Sequence, residues 1–209
     1  MVRRLFLKQI DFESGSDHSE KRMIEQQFTP LPEDLVPQYA QNCTKCELSA
    51  QSNRMIWGEG YPEASLLVLL DNPGAREDRA GNALVCGARQ TLQQLAFQAG
   101  IALEQLYITY VVKCRPRRSY NKRRARATCL EYFFHQVKRH QPRVVFCLGN
   151  VALQALYGDA TVEVKNWRGC WHDWEGIRMA VSYHPLAVRR RPNLFPYALA
   201  DWEMVAQSI

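Results

Sequence analysis

Leu66-Leu67-Val68-Leu69-Leu70-Asp71-Asn72-Pro73-Gly74 is the stretch on which the fold turns. Five consecutive aliphatic residues show no alternation with polar ones, so the strand they form must be covered on both faces, as inside a parallel sheet. Three more apolar runs follow, at 106–112, 144–148 and 177–183. Helical patterns fall between and after them. Residues 87–99 carry Leu92, Leu95 and Ala96 on one face. Thr128-Cys129-Leu130-Glu131 has the spacing of a capping box and leads into Leu130, Phe133, Phe134 and Val137 at i, i+3, i+4 and i+7. Asn150 opens a short helix ending near Gly158, and Pro196 opens the last one. Strands alternating with helices predict an α/β fold, a three-layer αβα sandwich around a short, mainly parallel four-stranded sheet. Ligands of such sheets bind beyond the carboxyl ends of the strands. That directs attention to Asp71-Asn72-Pro73-Gly74, Lys113-Cys114-Arg115-Pro116, Gly149-Asn150 and His184-Pro185.

A chain of 209 residues with 46% hydrophobic content can bury one sizeable core. Residues 1–40, with Pro30, Pro32 and Pro37 and little periodicity, read as an N-terminal extension laid on a domain of residues 41–209. There is no internal repeat. No run approaches the roughly 18 apolar residues of a membrane span, and the first ten residues lack a signal-peptide core. A cytoplasmic protein with no membrane partner, and a monomer, is the expectation.

The formal charge is +6, and the pI is about 9.0. Spread evenly, this would be an ordinary solvated surface. Instead residues 113–126 hold eight cations (Lys113, Arg115, Arg117, Arg118, Lys122, Arg123, Arg124 and Arg126) and no acid, and Arg189, Arg190 and Arg191 form a second cluster. Such density repels itself unless an anion lies nearby, and a phosphate backbone is the usual one. DNA is therefore the expected partner.

Seven cysteines without an export signal read as ligands and buried small hydrophobes rather than disulfides. Cys43 and Cys46 form a Cys-x-x-Cys pair, Cys114 lies 68 positions further on, and Cys129 another 15. A zinc ribbon normally shows two close pairs. A 2+1+1 set suits a cluster tying three segments together, and four thiolates satisfy a 4Fe-4S centre; zinc and unligated thiols remain the alternatives. Cys147, inside an apolar run, is a buried hydrophobe, and Cys86 and Cys170 have no evident partner. Cys114 and Cys129 stand at the two ends of the basic stretch, so a cluster there would hold up a DNA-facing loop.

In this order, several motifs resemble the family 4, iron–sulfur uracil-DNA glycosylases. They are Cys43-x-x-Cys46, Pro73-Gly74 with Glu77-Asp78 and Gly81, the segment from Ile108 through Cys114-Arg115-Pro116, Cys129, Leu148-Gly149, Arg168-Gly169 and Tyr183-His184-Pro185. The resemblance implies an αβα sandwich, a 4Fe-4S cluster on Cys43, Cys46, Cys114 and Cys129, and hydrolysis of the bond between a flipped-out base and its sugar. It gives His184 the hydrogen bond to the base carbonyl. Breaking an N-glycosidic bond leaves positive charge on the sugar and negative charge on the base. Asp71 and Asp78 are the acidic candidates for positioning water and countering the sugar's charge, with Asp71 favoured. Leu186 or Val188 would fill the space left by the base. Arg117, Arg118, Lys122, Arg123, Arg124, Arg126 and Arg189 to Arg191 would meet phosphates.

The base pocket departs from the family pattern. Asp71 stands where the family has Glu, Leu84 where it has a stacking Phe, and Tyr110 where it has an Asn that reads the pyrimidine edge; Asn72 completes the pocket set. A phenol offers one hydroxyl in place of an amide's paired donor and acceptor. Loss of such a reader costs orders of magnitude in discrimination. The pattern points to a modified pyrimidine or another lesion, bulky bases of foreign phage DNA in an antiviral setting included. No histidine lies between Lys113 and Cys129, which disfavours the superfamily branch that traps its product covalently. The competing reading from another class is a non-catalytic iron–sulfur DNA-binding module, against which the retained His184, Asp71 and Asp78 count. A nucleotide-handling enzyme would need a Gly-rich phosphate loop, which is lacking.

Overall fold

The computed structural model describes residues 28–80 and 87–209. Strands β1 (Glu33–Asp34), β2 (Gly58–Gly60), β3 (Leu66–Leu70), β4 (Leu106–Tyr110), β5 (Val144–Leu148), β6 (His172–Trp174) and β7 (Ile177–Ser182) form one sheet, in the order β1-β2-β4-β3-β5-β7-β6. The four apolar runs are its centre, and they pair in parallel, β4 with β3, β3 with β5, and β5 with β7. The sheet has seven strands rather than the expected four, because antiparallel strands of two or three residues flank this centre. Runs that short carry no readable alternation. β1 comes from the proline-bearing segment near the N-terminus, where Leu31 and Ala40 are also buried.

The α-helices of the described residues are α1 (Ala75–Ala80), α2 (Ala88–Gln98), α3 (Lys122–His140), α4 (Asn150–Tyr157), α5 (Val164–Trp167), α6 (Pro185–Arg190) and α7 (Phe195–Ala206). The period-two alternation of strand side chains sorts the core into two halves. Leu66, Val68 and Leu70 pack with Leu92, Leu95 and Ala96 of α2 and Trp202 of α7. Leu67 and Leu69 pack with Phe133 and Val137 of α3 and Leu153 of α4. Helices on both faces of a mainly parallel sheet make the three layers expected.

Two boundaries differ from the sequence reading. α3 begins at Lys122, not near Thr128, and its N-cap is Asn121, whose Oδ1 accepts the Arg124 N–H at 3.0 Å. Ala125 is fully buried in the same core as Cys129 and Phe133, so the apolar face starts a turn earlier than the large residues reveal. Lys, Arg and Ala are also good helix formers. The basic stretch is consequently not one loop: its second half is helix. Likewise residues 185–190, where the sequence reading places no helix, form the short helix α6 with Pro185 at its first position.

Candidate active site

Strand register sets the site. Leu70 lies opposite Tyr110, and Leu148 opposite Ser182, so the carboxyl ends of β3, β4, β5 and β7 are level. Asp71 follows β3, and His184 follows β7 by two residues. At this edge the His184 Nε2 lies 3.2 Å from Asp71 Oδ1. His184 is the N-cap of α6, and its Nδ1 accepts the Leu186 N–H at 3.1 Å. A neutral ring that accepts at Nδ1 carries its proton on Nε2, which faces Asp71. Gly149, at the end of β5, has φ +98°, and a Cβ there would come within 2.8 Å of His184 Cβ. Only glycine lets the imidazole sit where it does.

Asp71 also accepts its neighbour's N–H, from Asn72, at 2.8 Å. Burial pushes the Asp71 carboxyl up, but the hydrogen bond from His184, with those from backbone N–H groups, opposes it, and the group is held below the usual carboxylate value. Asp71 is therefore an anion at neutral pH. Around this pair the described residues form a cavity of about 400 Å³, lined also by Asn72, Glu77, Arg89, Tyr110 and Leu186. Asn72 turns its amide back onto the Pro73 carbonyl at 2.9 Å. Tyr110 is 2% exposed, and burial first, then neighbouring carboxylates, push its hydroxyl well above the ordinary tyrosine value. It faces the pocket as a protonated phenol. Leu84, the third residue expected in the base pocket, lies outside the described residues.

Asp78 is brought near but not into this cavity. Its Oδ1 accepts the Asn53 N–H at 2.8 Å, its Oδ2 takes Arg117 Nη2 at 2.5 Å, and its side chain is fully buried. It fastens the start of the basic stretch to α1, one wall of the pocket. Lys113, counted among the basic residues, is also buried, donating to Gln136 Oε1 at 2.6 Å, to the Tyr110 carbonyl at 2.9 Å, and to Thr109 Oγ1. Burial lowers its pKa to about 7. Arg118, Lys122, Arg123 and Arg124 are exposed, and Arg126 is half-buried beside Tyr120. Arg189, Arg190 and Arg191 are exposed at the end of α6. Leu186 is exposed at the pocket rim, whereas Val188 packs in the core at 2% exposure, which leaves Leu186 as the apolar residue facing outward.

The four cysteines converge from three segments. Cys43 and Cys46 are half-buried, and Cys114 and Cys129 are buried. Met55 pairs with Cys114 in an isolated antiparallel bridge, and Lys45 reaches Glu131 at 2.8 Å beside Cys129. Burial pushes the Cys114 thiol up to about 11, with the other three cysteines adding to the rise. Cys43, Cys46 and Cys129 thus lie near enough to act on the Cys114 thiol, and the four together are a donor set that a bound cation would relieve by deprotonating them. Among the described residues no three such side chains already meet in ligating geometry.

Sequence patterning passed over Arg89 and Glu59. Arg89 lies three residues before Leu92 and seven before Ala96, on the apolar face of α2, and a charge at a core-facing position was the available signal.

Residues 57–205 match the family described as Uracil DNA glycosylase superfamily. The chain belongs to that superfamily, whose members are DNA glycosylases. Within it, the chain is 33% identical over 162 residues to a type-4 uracil-DNA glycosylase of Pyrobaculum aerophilum, covering 73% of this chain and 82% of that protein. It is 29% identical to the type-4 uracil-DNA glycosylase of Thermotoga maritima, covering 77% and 85%, and 27% identical to that of Archaeoglobus fulgidus, covering 79% and 87%.

Proposed function

We propose that the chain is a monofunctional DNA glycosylase that hydrolyses the N-glycosidic bond of a flipped-out, uracil-like or modified pyrimidine and leaves an abasic site. The observation that carries this reading is the Asp71–His184 pair at 3.2 Å, at the carboxyl ends of β3 and β7 and inside a base-sized cavity. The Asp71 carboxylate holds the attacking water and counters the charge developing on the sugar. The His184 Nε2–H, fixed by the Leu186 N–H on the opposite nitrogen, is released from Asp71 to the base carbonyl as that oxygen gains charge. Leu186 occupies the gap left in the stack, while Arg118, Lys122, Arg123, Arg124 and Arg189 to Arg191 hold phosphates, with Arg117 and Arg126 at the edge of that surface. Cys43, Cys46, Cys114 and Cys129 would hold a 4Fe-4S cluster, whose contribution is to fasten the Cys-x-x-Cys loop, the end of β4 and α3 together.

Tyr110 in the pocket supports a specificity shifted from plain uracil. We take residues 41–209 as the catalytic domain of a monomeric cytoplasmic protein and residues 1–40 as its extension; no described helix is long and apolar enough to cross a membrane. The test is to incubate the protein with DNAs of differing base modification and identify released bases by mass spectrometry. Release of a base with an intact abasic strand is the expected result. No release from any DNA would favour the inert binding module.

A further inference from the structure

The pocket holds a cation that the chemistry just described leaves unused. Arg89, in the first turn of α2, lines the cavity, yet its side chain is only 3% exposed. Its Nη2 pairs with the equally buried Glu59 of β2, while its Nε and Nη1 meet no hydrogen-bond partner among the described residues. Buried donors are nearly always satisfied, because one left unmet has given up its bonds to water with nothing in return. Both atoms are themselves buried, but Arg89 lines the cavity, so a shift of its guanidinium toward the cavity would bring them to an acceptor carried by the ligand.

The cavity has a direction. Asp71, at 33% side-chain exposure, and His184, at 19%, stand at its open end; Tyr110 and Arg89 close the buried end. A base tethered to a DNA strand enters with its glycosidic bond at the open end. Its far edge, carbons 4 and 5 of a pyrimidine, then reaches Arg89. A guanidinium offers five N–H donors and no acceptor. Glu59 already balances its charge, and the Asp71 and Glu77 carboxylates line the same cavity, so an anionic substituent would be repelled.

On the glycosylase reading above, we propose that Arg89 is a specificity-determining residue, donating its open N–H groups to an uncharged oxygen on the far edge of the base. That oxygen is either the ring's own 4-oxygen or a hydroxyl carried on a 5-substituent. An unsubstituted 4-amino pyrimidine, which presents only donors there, is rejected.

The experiment compares single-turnover base release from oligonucleotides carrying, at one position, uracil, pyrimidin-2-one, cytosine, 5-methylcytosine or 5-hydroxymethylcytosine. It uses the unmodified protein, Arg89→Lys, which keeps a cation beside Glu59, and Glu59→Gln with Arg89→Gln, which removes the ion pair as a unit. The unmodified protein should release uracil over pyrimidin-2-one, or the hydroxymethyl over the methyl base, by about 10²-fold, and the responsive pair identifies the oxygen. Both variants should bring that ratio close to one, as a cycle between residue and substrate group requires. Equal rates within both pairs in the unmodified protein would overturn the proposal, whether or not the variants fold. So would an undiminished ratio in a folded variant. Failure of the glycosylase reading is separate, as no base of any kind would then be released.

Discussion

In the proposed reaction His184 and Asp71 would act through placement more than through ordinary acid strength. The imidazole is fixed at both nitrogens, by the Leu186 N–H and by Asp71, so replacing either residue removes a preorganised group rather than a loose one. His184→Ala and Asp71→Ala should each lower single-turnover base release by about 10²-fold or more, with DNA affinity nearly unchanged in a direct binding titration. An equal loss of affinity would make them binding residues. The pH dependence follows from the sign of the Asp71 shift. Its folded pKa lies below the ordinary 3.8, so its contribution to stability is present above the unfolded value and is lost as pH falls through the folded one. No acid limb from Asp71 should therefore appear above about pH 4 in the rate profile. Asp71→Asn should leave that region of the profile flat and low. Tyr110→Asn restores a paired donor and acceptor, and should raise uracil release relative to the base the unmodified protein prefers. Asp71 and His184 were legible in the sequence because each stands just past an apolar run, and Tyr110 through the resemblance, as the position where the family has an Asn. Asp78 was legible as an acid but not as the partner of Arg117, since residues 78 and 117 meet only when α1 and the segment after β4 fold against each other.

At the scale of elements, the basic stretch divides into parts with different work. Lys113 is buried beneath the sheet edge, Arg117 ties down α1, and Lys122 to Arg124 form the exposed first turn of α3. Neutralising Arg118, Lys122 and Arg123 together should flatten the log–log salt dependence of DNA binding by about one unit per lost phosphate contact. An unchanged slope would remove α3 from the interface. The same turn depends on its cap: Asn121→Ala should cost about 1 kcal/mol of stability by chemical denaturation, from the loss of the bond to the Arg124 N–H. The capping-box spacing at Thr128 misplaced this start because it weighed large apolar residues, whereas the buried Ala125 announces the helix face with a single methyl group.

For the whole molecule, stability and the cysteine cluster are linked through α3. Its residues Phe133 and Val137 fill one half of the core, and Cys129 in its second turn would share a cluster with Cys43, Cys46 and Cys114. Cys129→Ser should lower iron content per chain, bleach the broad absorbance near about 400 nm, and lower Tm together with DNA affinity. Iron-free protein that keeps its Tm would uncouple the two. The sequence by itself determined the four parallel strands, their covering helices and the residues at the strand ends, because aliphatic runs and i, i+3, i+4 patterns are local consequences of burial. It also carried the spacing of the four cysteines. Only the tertiary structure decided that three short antiparallel strands extend the sheet, that Asp78 and Lys113 turn inward, and that Arg89, paired with Glu59, lines the pocket. The bonds from Asp78 to Arg117 and from Arg89 to Glu59 join residues 39 and 30 positions apart. Pairings at that separation have no period to read, and form only once the strands have set which side chains meet.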